Sequence, residues 1–311
     1  MNENPWNVKK LTIHLHLVYA CRKLLSTENV KILSKQKRSA FFLLFDRGIL
    51  LDYNGISLRI VIQTGEYRGM LTLENIQWEL PGGEQIVRGI DLTVAAGKLT
   101  VITGPNGGGK TSLAKLIAGL ERPTGGRILL DGEDITELTI TERARKGIAY
   151  AFQQPVRFKG LTVRDLITLA AGGELEEETV CQVLGQVGLC TRDYIDREVN
   201  ASLSGGEIKR IEIATVLARK DRRLAVFDEP EAGIDLWSFN GLVDAFSQLK
   251  AKQTESLLII SHQERLLEIA DEIVVVADGK IRMAGPGQEV LPRLLEGEKA
   301  SRCPWGKEEG R

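Results

Sequence analysis

The chain is 311 residues long, 43% hydrophobic and 27% charged, with a formal net charge of −1. That length holds one large domain or two modest ones, and the near-neutral balance excludes a global basic field that would recruit nucleic acid or an anionic membrane. The average conceals a split: residues 1–69 carry 11 Lys+Arg against 5 Asp+Glu, leaving 30 against 37 for residues 70–311.

The first 69 residues read poorly as a domain. Apolar clusters (LTIHLHLVYA, AFFLLF, ILLDY, LRIVIQ) alternate with basic stretches such as SKQKRSA, without a sustained helical or strand period. LTIHLHLVYAC at 11–21 faintly resembles a signal h-region but falls short of the roughly 18–20 apolar residues a membrane span needs. No direct membrane insertion is expected, and the nucleotide motifs below point to a cytoplasmic protein. Residues 1–69 are therefore expected to be an N-terminal extension of uncertain status, with Met70 a candidate natural start. A native N-terminal peptide beginning upstream of Met70 would overturn that expectation.

From Met70 the chain changes character. LTLENIQWEL and RGIDLTV are strands joined through the turn cluster PGGEQ. LTVIT (99–103) is a short buried strand, followed by a glycine loop and the helical KTSLAKLIAGL. RILLDGEDI and IAYAFQ are strands flanking a helical TERARKG. Residues 160–200 are mostly helical: Thr162 can cap VRDLITLAA, and EEETVCQVLGQVGL is amphipathic. A helix from about Glu207 to Arg219, the strand LAVFD, a helix near LWSFNGLVDAFSQLKA, the strand SLLIIS, a helix RLLEIA and the strand EIVVVA complete the body. Alternating strands and helices predict an α/β fold with a mostly parallel sheet and helices on both faces. Residues 286–311 are expected to form a C-terminal helix and a charged tail, frayed from Gly297. The four cysteines (Cys21, Cys181, Cys190, Cys303) show no C-x-x-C spacing, so neither a zinc site nor a disulfide framework is expected.

The strongest chemical signal is the strand–loop–helix around GPNGGGKT, Gly104 to Thr111. Such a G-x-x-x-x-G-K-T loop lets successive backbone N–H groups curl round a phosphate, with the positive end of the helix dipole behind them. In that frame Gly104, Asn106, Gly107, Gly109 and Ser112 bind the nucleotide, Lys110 bridges the β- and γ-phosphates, and the Thr111 hydroxyl ligates Mg²⁺. LAVFD ends in Asp228 and Glu229. An acid at the carboxyl end of a neighbouring parallel strand suits Mg²⁺ held through water, and Glu229 can orient or deprotonate the attacking water. Ser204 in LSGGE has helix N-cap chemistry, while the glycines that follow permit close approach to an anion.

The order GPNGGGKT, then FQ, LSGGE, DE and a lone histidine resembles the ATP-binding cassette (ABC) ATPases over about residues 71–285. The resemblance implies a P-loop NTPase of that type, with an antiparallel β subdomain and a helical subdomain (about 160–200) in an ATPase domain spanning 70–285. It implies that Gln153 senses Mg²⁺ and the γ-phosphate, and that His262 holds the γ-phosphate. It further implies that Trp78, in the body's opening hairpin, stacks on adenine. Ser204, Gly206 and Asp235 would then close on ATP bound by a second subunit in a head-to-tail homodimer. The implied cofactors are ATP and Mg²⁺, and the implied reaction is ATP hydrolysis to ADP and phosphate.

Finer details resemble SufC-type ATPases of the Suf iron–sulfur cluster assembly system: AFQQPV, SGGEIKR with Glu207 where transporters usually have Gln, EAGID, and HQERLL. That resemblance implies a soluble SufB/SufD-like scaffold as partner, with the cluster on the scaffold. Pro230, the stretch GLERPTGGRILLDGEDI, Gln154 and Gly108 depart from it, and keep a membrane permease as the alternative partner.

Overall fold

A computed structural model describes residues 31–33, 41–44, 49–53, 58–62 and 70–301. The chain divides into two units, Met1–Tyr67 and Arg68–Arg311. In the first, β1 (Lys31–Leu33), β2 (Phe41–Leu44), β3 (Ile49–Tyr53) and β4 (Leu58–Ile62) pair in sequence order as an antiparallel sheet. Three of the apolar clusters that show no sustained period in sequence contain β2, β3 and β4, and β1 lies outside them; each strand is too short for an alternation to stand out. LTIHLHLVYA lies outside the described residues.

The second unit is built on a six-stranded sheet in the order β10 (Ile148–Ala151), β11 (Leu224–Asp228), β12 (Ser256–Ile260), β7 (Leu99–Thr103), β13 (Glu272–Ala277), β14 (Lys280–Pro286). All neighbours are parallel except β13 and β14. Sequence reasoning missed β14: KIRMAGP alternates half-buried and exposed residues and ends in Gly-Pro, so it lacks a buried run. The strand carrying Asp228 is also not next to β7, because β12 lies between them. The acid belongs to the same sheet edge, one strand further away than expected.

β7, β11 and β12 are buried at every position, which accounts for their unbroken apolar runs. Their side chains alternate between two cores. Leu99, Val101, Ala225, Phe227, Leu257 and Ile259 join one, while Ile102, Leu224, Val226, Leu258 and Ile260 join the other. The second core is shared with α1 (Lys110–Ala118) and an antiparallel sheet of β6 (Gln85–Val94), β5 (Leu71–Glu79), β8 (Gly125–Leu130) and β9 (Glu133–Asp134). Preceding β10 is α2 (Ile140–Arg145).

The first core packs α3 (Val163–Ala171), α4 (Glu177–Gln186), α6 (Gly205–Ala218) and α7 (Leu236–Lys252); the short α5 (Thr191–Tyr194) joins α4 to α6. Thr162 caps α3 as expected, in a box where its side chain accepts from Asp165 N–H and the Asp165 carboxylate accepts from Thr162 N–H. α8 (Glu264–Glu268) precedes β13, and α9 (Gly287–Ser301) closes the described chain. The helix thus continues past Gly297, where fraying was expected. Among the described residues no helix is long and apolar enough to cross a membrane.

Candidate functional site

Four loops meet at the carboxyl edge of the parallel strands: the glycine loop after β7, Phe152–Gln153 after β10, Asp228–Glu229 ending β11, and Ser261–His262 after β12. This is where an open α/β sheet presents its ligand crevice. The glycine loop is packed hard against the backbone at the end of β13. A Cβ on Gly104, whose φ is +131°, would collide with the Val276 carbonyl. A Cβ on Gly108 would sit 2.8 Å from the same oxygen and 3.0 Å from that of Pro105. The glycine standing where serine is usual in the resembling family is thus explained by this close approach. Lys110, almost fully buried, donates to the carbonyls of Gly104 (2.8 Å) and Pro105 (2.9 Å). Burial lowers its pKa, against the opposing pull of Glu229 and Asp228.

Asp228 is fully buried at the end of β11. One carboxylate oxygen accepts from the Thr111 hydroxyl (3.2 Å) and the other from the Tyr150 hydroxyl (3.1 Å). Burial raises the pKa of both Asp228 and Tyr150. A threonine hydroxyl and a carboxylate brought together are hard oxygen donors, which fit Mg²⁺. The Gln153 amide donates to the Glu229 carboxylate at 2.8 Å. Glu229 itself takes a left-handed backbone, φ +47°, fixed by its N–H donating to the Ile260 carbonyl (3.0 Å). Burial and then Lys110 lower the pKa of His262, against the opposing pull of Glu229.

Asn106, Gly107, Gly109, Lys110, Thr111, Ser112, Gln153, Glu229, His262 and Trp78 line one cleft of about 570 Å³. Gly104 and Asp228 stand behind that lining, joined to it through Lys110 and Thr111. Ser204, Gly206 and Asp235 do not line the cleft. They form a second cluster in which the Gly233 carbonyl packs so closely on Gly206 that a Cβ there would lie 2.5 Å away. Ser204 caps α6 in a box with Glu207, and Asp235 caps α7. The Tyr194 hydroxyl and the Ser204 N–H, both donating to Glu207, pull its pKa down to about 2.

Sequence reasoning missed Lys209. It is fully buried in α6 and donates to the backbone carbonyls of Phe152, Gln153 (3.3 Å) and Asp228 (3.3 Å). Its ammonium lies 3.7 Å from Glu212, whose other oxygen accepts from Phe152 N–H at 3.0 Å. The sequence signal was a lysine beside Ile208, with Glu212 three residues on and Ile213 four residues on along the same helix side.

A sequence model described as ABC transporter matches residues 87–232. An uncharacterized ABC transporter ATP-binding protein of Methanocaldococcus jannaschii is 41% identical over 217 residues, covering 67% of this chain and 86% of the relative. A probable ATP-dependent transporter of Synechocystis is 34% identical over 73% of this chain and 93% of its own length. A dimeric ATP-binding cassette solved with ADP and phosphate superposes with a TM-score of 0.62 over 70% of this chain and 98% of that one; at 22% identity it speaks for the fold. The cleft's phosphate loop and acidic edge, the cassette fold and these relatives agree: the chain belongs to the ABC transporter family as an ATP-binding cassette ATPase.

Proposed function

We propose that the 570 Å³ cleft is the ATPase centre. The observation that carries this reading is the direct Gln153–Glu229 hydrogen bond across the mouth of a phosphate loop. Backbone N–H groups of the loop and the start of α1 receive the phosphates, Lys110 lies against the β- and γ-phosphates, and Trp78 stacks on the base. Glu229 takes a proton from the attacking water, which Gln153 helps orient, as the bond between the β-phosphate bridging oxygen and the γ-phosphorus breaks to release ADP and phosphate. His262 donates an N–H to the γ-phosphate. Thr111 and Asp228, with the Gln153 amide oxygen, would hold Mg²⁺, and the ion would supply charge neutralisation for the phosphates.

Ser204, Gly206 and Asp235, clustered away from the cleft, close over the nucleotide of a second copy in a head-to-tail pair. Each pair then encloses two ATP molecules, and hydrolysis loosens it. Closure is passed to a bound partner through the Gln153 loop and residues 160–200. The partner is a soluble SufB/SufD-like scaffold for iron–sulfur cluster assembly. What supports this is the set AFQQPV, SGGEIKR, EAGID and HQERLL, with Glu207 locked into the α6 cap. A membrane permease is the second reading, favoured by Pro230 and by relatives named as transporters.

An affinity pull-down from native extract separates the two: recovery of a soluble scaffold supports the first, and a purely integral membrane partner overturns it. Glu229→Gln tests the centre itself. ATP binding should persist while turnover falls at least ~100-fold; unchanged turnover would remove Glu229 from the mechanism.

A further inference from the structure

Beside the Ser204–Asp235 cluster the surface carries two exposed apolar side chains in succession, Leu236 and Trp237, with 67% and 84% of their surface in water. Both open α7, whose core-facing side consists of Phe239, Leu242, Val243, Phe246 and Leu249. Trp237 is off that stripe, and the position four residues on, where a helical neighbour would cover it, is Gly241, around which there is open space. The backbone that carries the pair is fixed: Asp235 accepts hydrogen bonds from the N–H groups of Trp237 (3.1 Å) and Ser238 (3.0 Å), which hold the start of α7 beside the Asp235 loop.

An isolated exposed leucine needs no explanation, but an adjacent Leu–Trp pair standing in water on a capped helix start does, since tryptophan is among the residue types enriched at binding hot spots. The pair directly continues the Asp235 loop, and through the Gly233–Gly206 contact that loop is joined to the LSGGE segment. We propose that Leu236 and Trp237 are an apolar anchor for a second copy of this chain, extending the nucleotide-dependent interface beyond the loops that meet ATP. This rests on the head-to-tail pairing proposed above. Twofold symmetry presents the patch twice in each dimer, so one substitution removes two anchors.

The test uses the full chain carrying Glu229→Gln, which holds ATP without turnover, and sedimentation velocity with MgATP over a concentration series. The expected result is a dimer whose dissociation constant rises at least tenfold when Trp237→Glu is added and by a smaller factor with Leu236→Ser. ATP affinity measured below the dimerisation range, and the far-ultraviolet circular dichroism spectrum, should stay as in the parent. If the parent dimerises with MgATP and Trp237→Glu dimerises as tightly, the anchor is wrong and the pairing stands. If the parent remains monomeric with MgATP bound, the pairing itself fails and the anchor falls with it.

Discussion

Lys209→Met tests the buried network behind the cleft. The methionine keeps the volume of the side chain but removes an ammonium that serves three backbone carbonyls, those of Phe152, Gln153 and Asp228. It also leaves the half-enclosed Glu212 carboxylate without its cation, now 3.7 Å away. Breaking a buried pair from one side costs about 3–5 kcal/mol. Because Glu212 can escape by taking up a proton, the lower end, about 3 kcal/mol at pH 8, is expected. Burial already raises the Glu212 pKa and Lys209 opposes that rise, so the variant's carboxyl moves further up. A folded pKa above the unfolded one contributes stability at low pH that disappears as pH rises. The penalty should therefore be smaller at pH 5 than at pH 8. Adding Glu212→Gln removes the orphaned charge while keeping an acceptor for Phe152 N–H, and should recover about 1–2 kcal/mol. Urea unfolding followed by circular dichroism at both pH values measures each quantity. A loss under about 1 kcal/mol, equal at both pH values, would refute the claim that this charge is desolvated and paired.

Arg143 is fully buried and donates to the carbonyls of Leu116 (2.6 Å), Ile117 (3.0 Å), Thr136 (2.7 Å) and Leu138 (3.1 Å), capping the carboxyl end of α1. Arg143→Leu should lower urea stability by about 3 kcal/mol, and an effect within experimental error would remove the cap from the account. Glu207, with its pKa pulled from 4.5 to about 2, contributes stability that is complete above pH 4.5 and is lost as pH falls towards 2. Glu207→Gln should accordingly flatten the acid limb of the stability–pH curve by at most about 3 kcal/mol; an unaltered limb counts against the Tyr194 and Ser204 contacts. Gly108→Ser should cost about 1–3 kcal/mol and weaken ATP binding, because its Cβ meets two carbonyl oxygens. Calorimetric titration showing unchanged affinity would mean the loop moves aside freely.

The order of strands and helices after Met70 was legible because β7, β11 and β12 are buried on both faces and so appear as unbroken apolar runs. The cleft was legible because a phosphate loop requires glycines, a lysine and a hydroxyl in fixed sequence, all within eight residues. What could not be read was whatever depends on distant backbone. Lys209 is an unremarkable helix residue until the carbonyls of Phe152 and Asp228, 57 and 19 residues away, close over it. The position of β12 between β7 and β11 is likewise a matter of topology, since any of several parallel orders would suit the same apolar runs. Nor does an Asp-Glu pair show that its second residue must adopt a left-handed backbone. At Glu229 that conformation costs about 1 kcal/mol and is held by the Ile260 carbonyl.

These hidden contacts bear directly on how the cleft is coupled to its surroundings. The segment Phe152–Gln153 makes two kinds of contact at once. Its side-chain amide holds the Glu229 carboxylate, and its backbone carbonyls hold Lys209, which also grips the Asp228 carbonyl next to Glu229 in the chain. Shortly beyond it, Val156 and Phe158 are partly exposed and line an apolar pocket with Phe152, Leu166 and Ile211. A shift of residues 152–158 loads both the amide–carboxylate bond and the ammonium–carbonyl bonds. The first sets where the acidic group points, and the second sets where the strand end beneath it lies. Movement of residues 152–158 and placement of the Glu229 carboxylate are therefore mechanically coupled. Lys209 adds a further tie between the ends of β10 and β11, beside their sheet hydrogen bonds and the Tyr150–Asp228 bond.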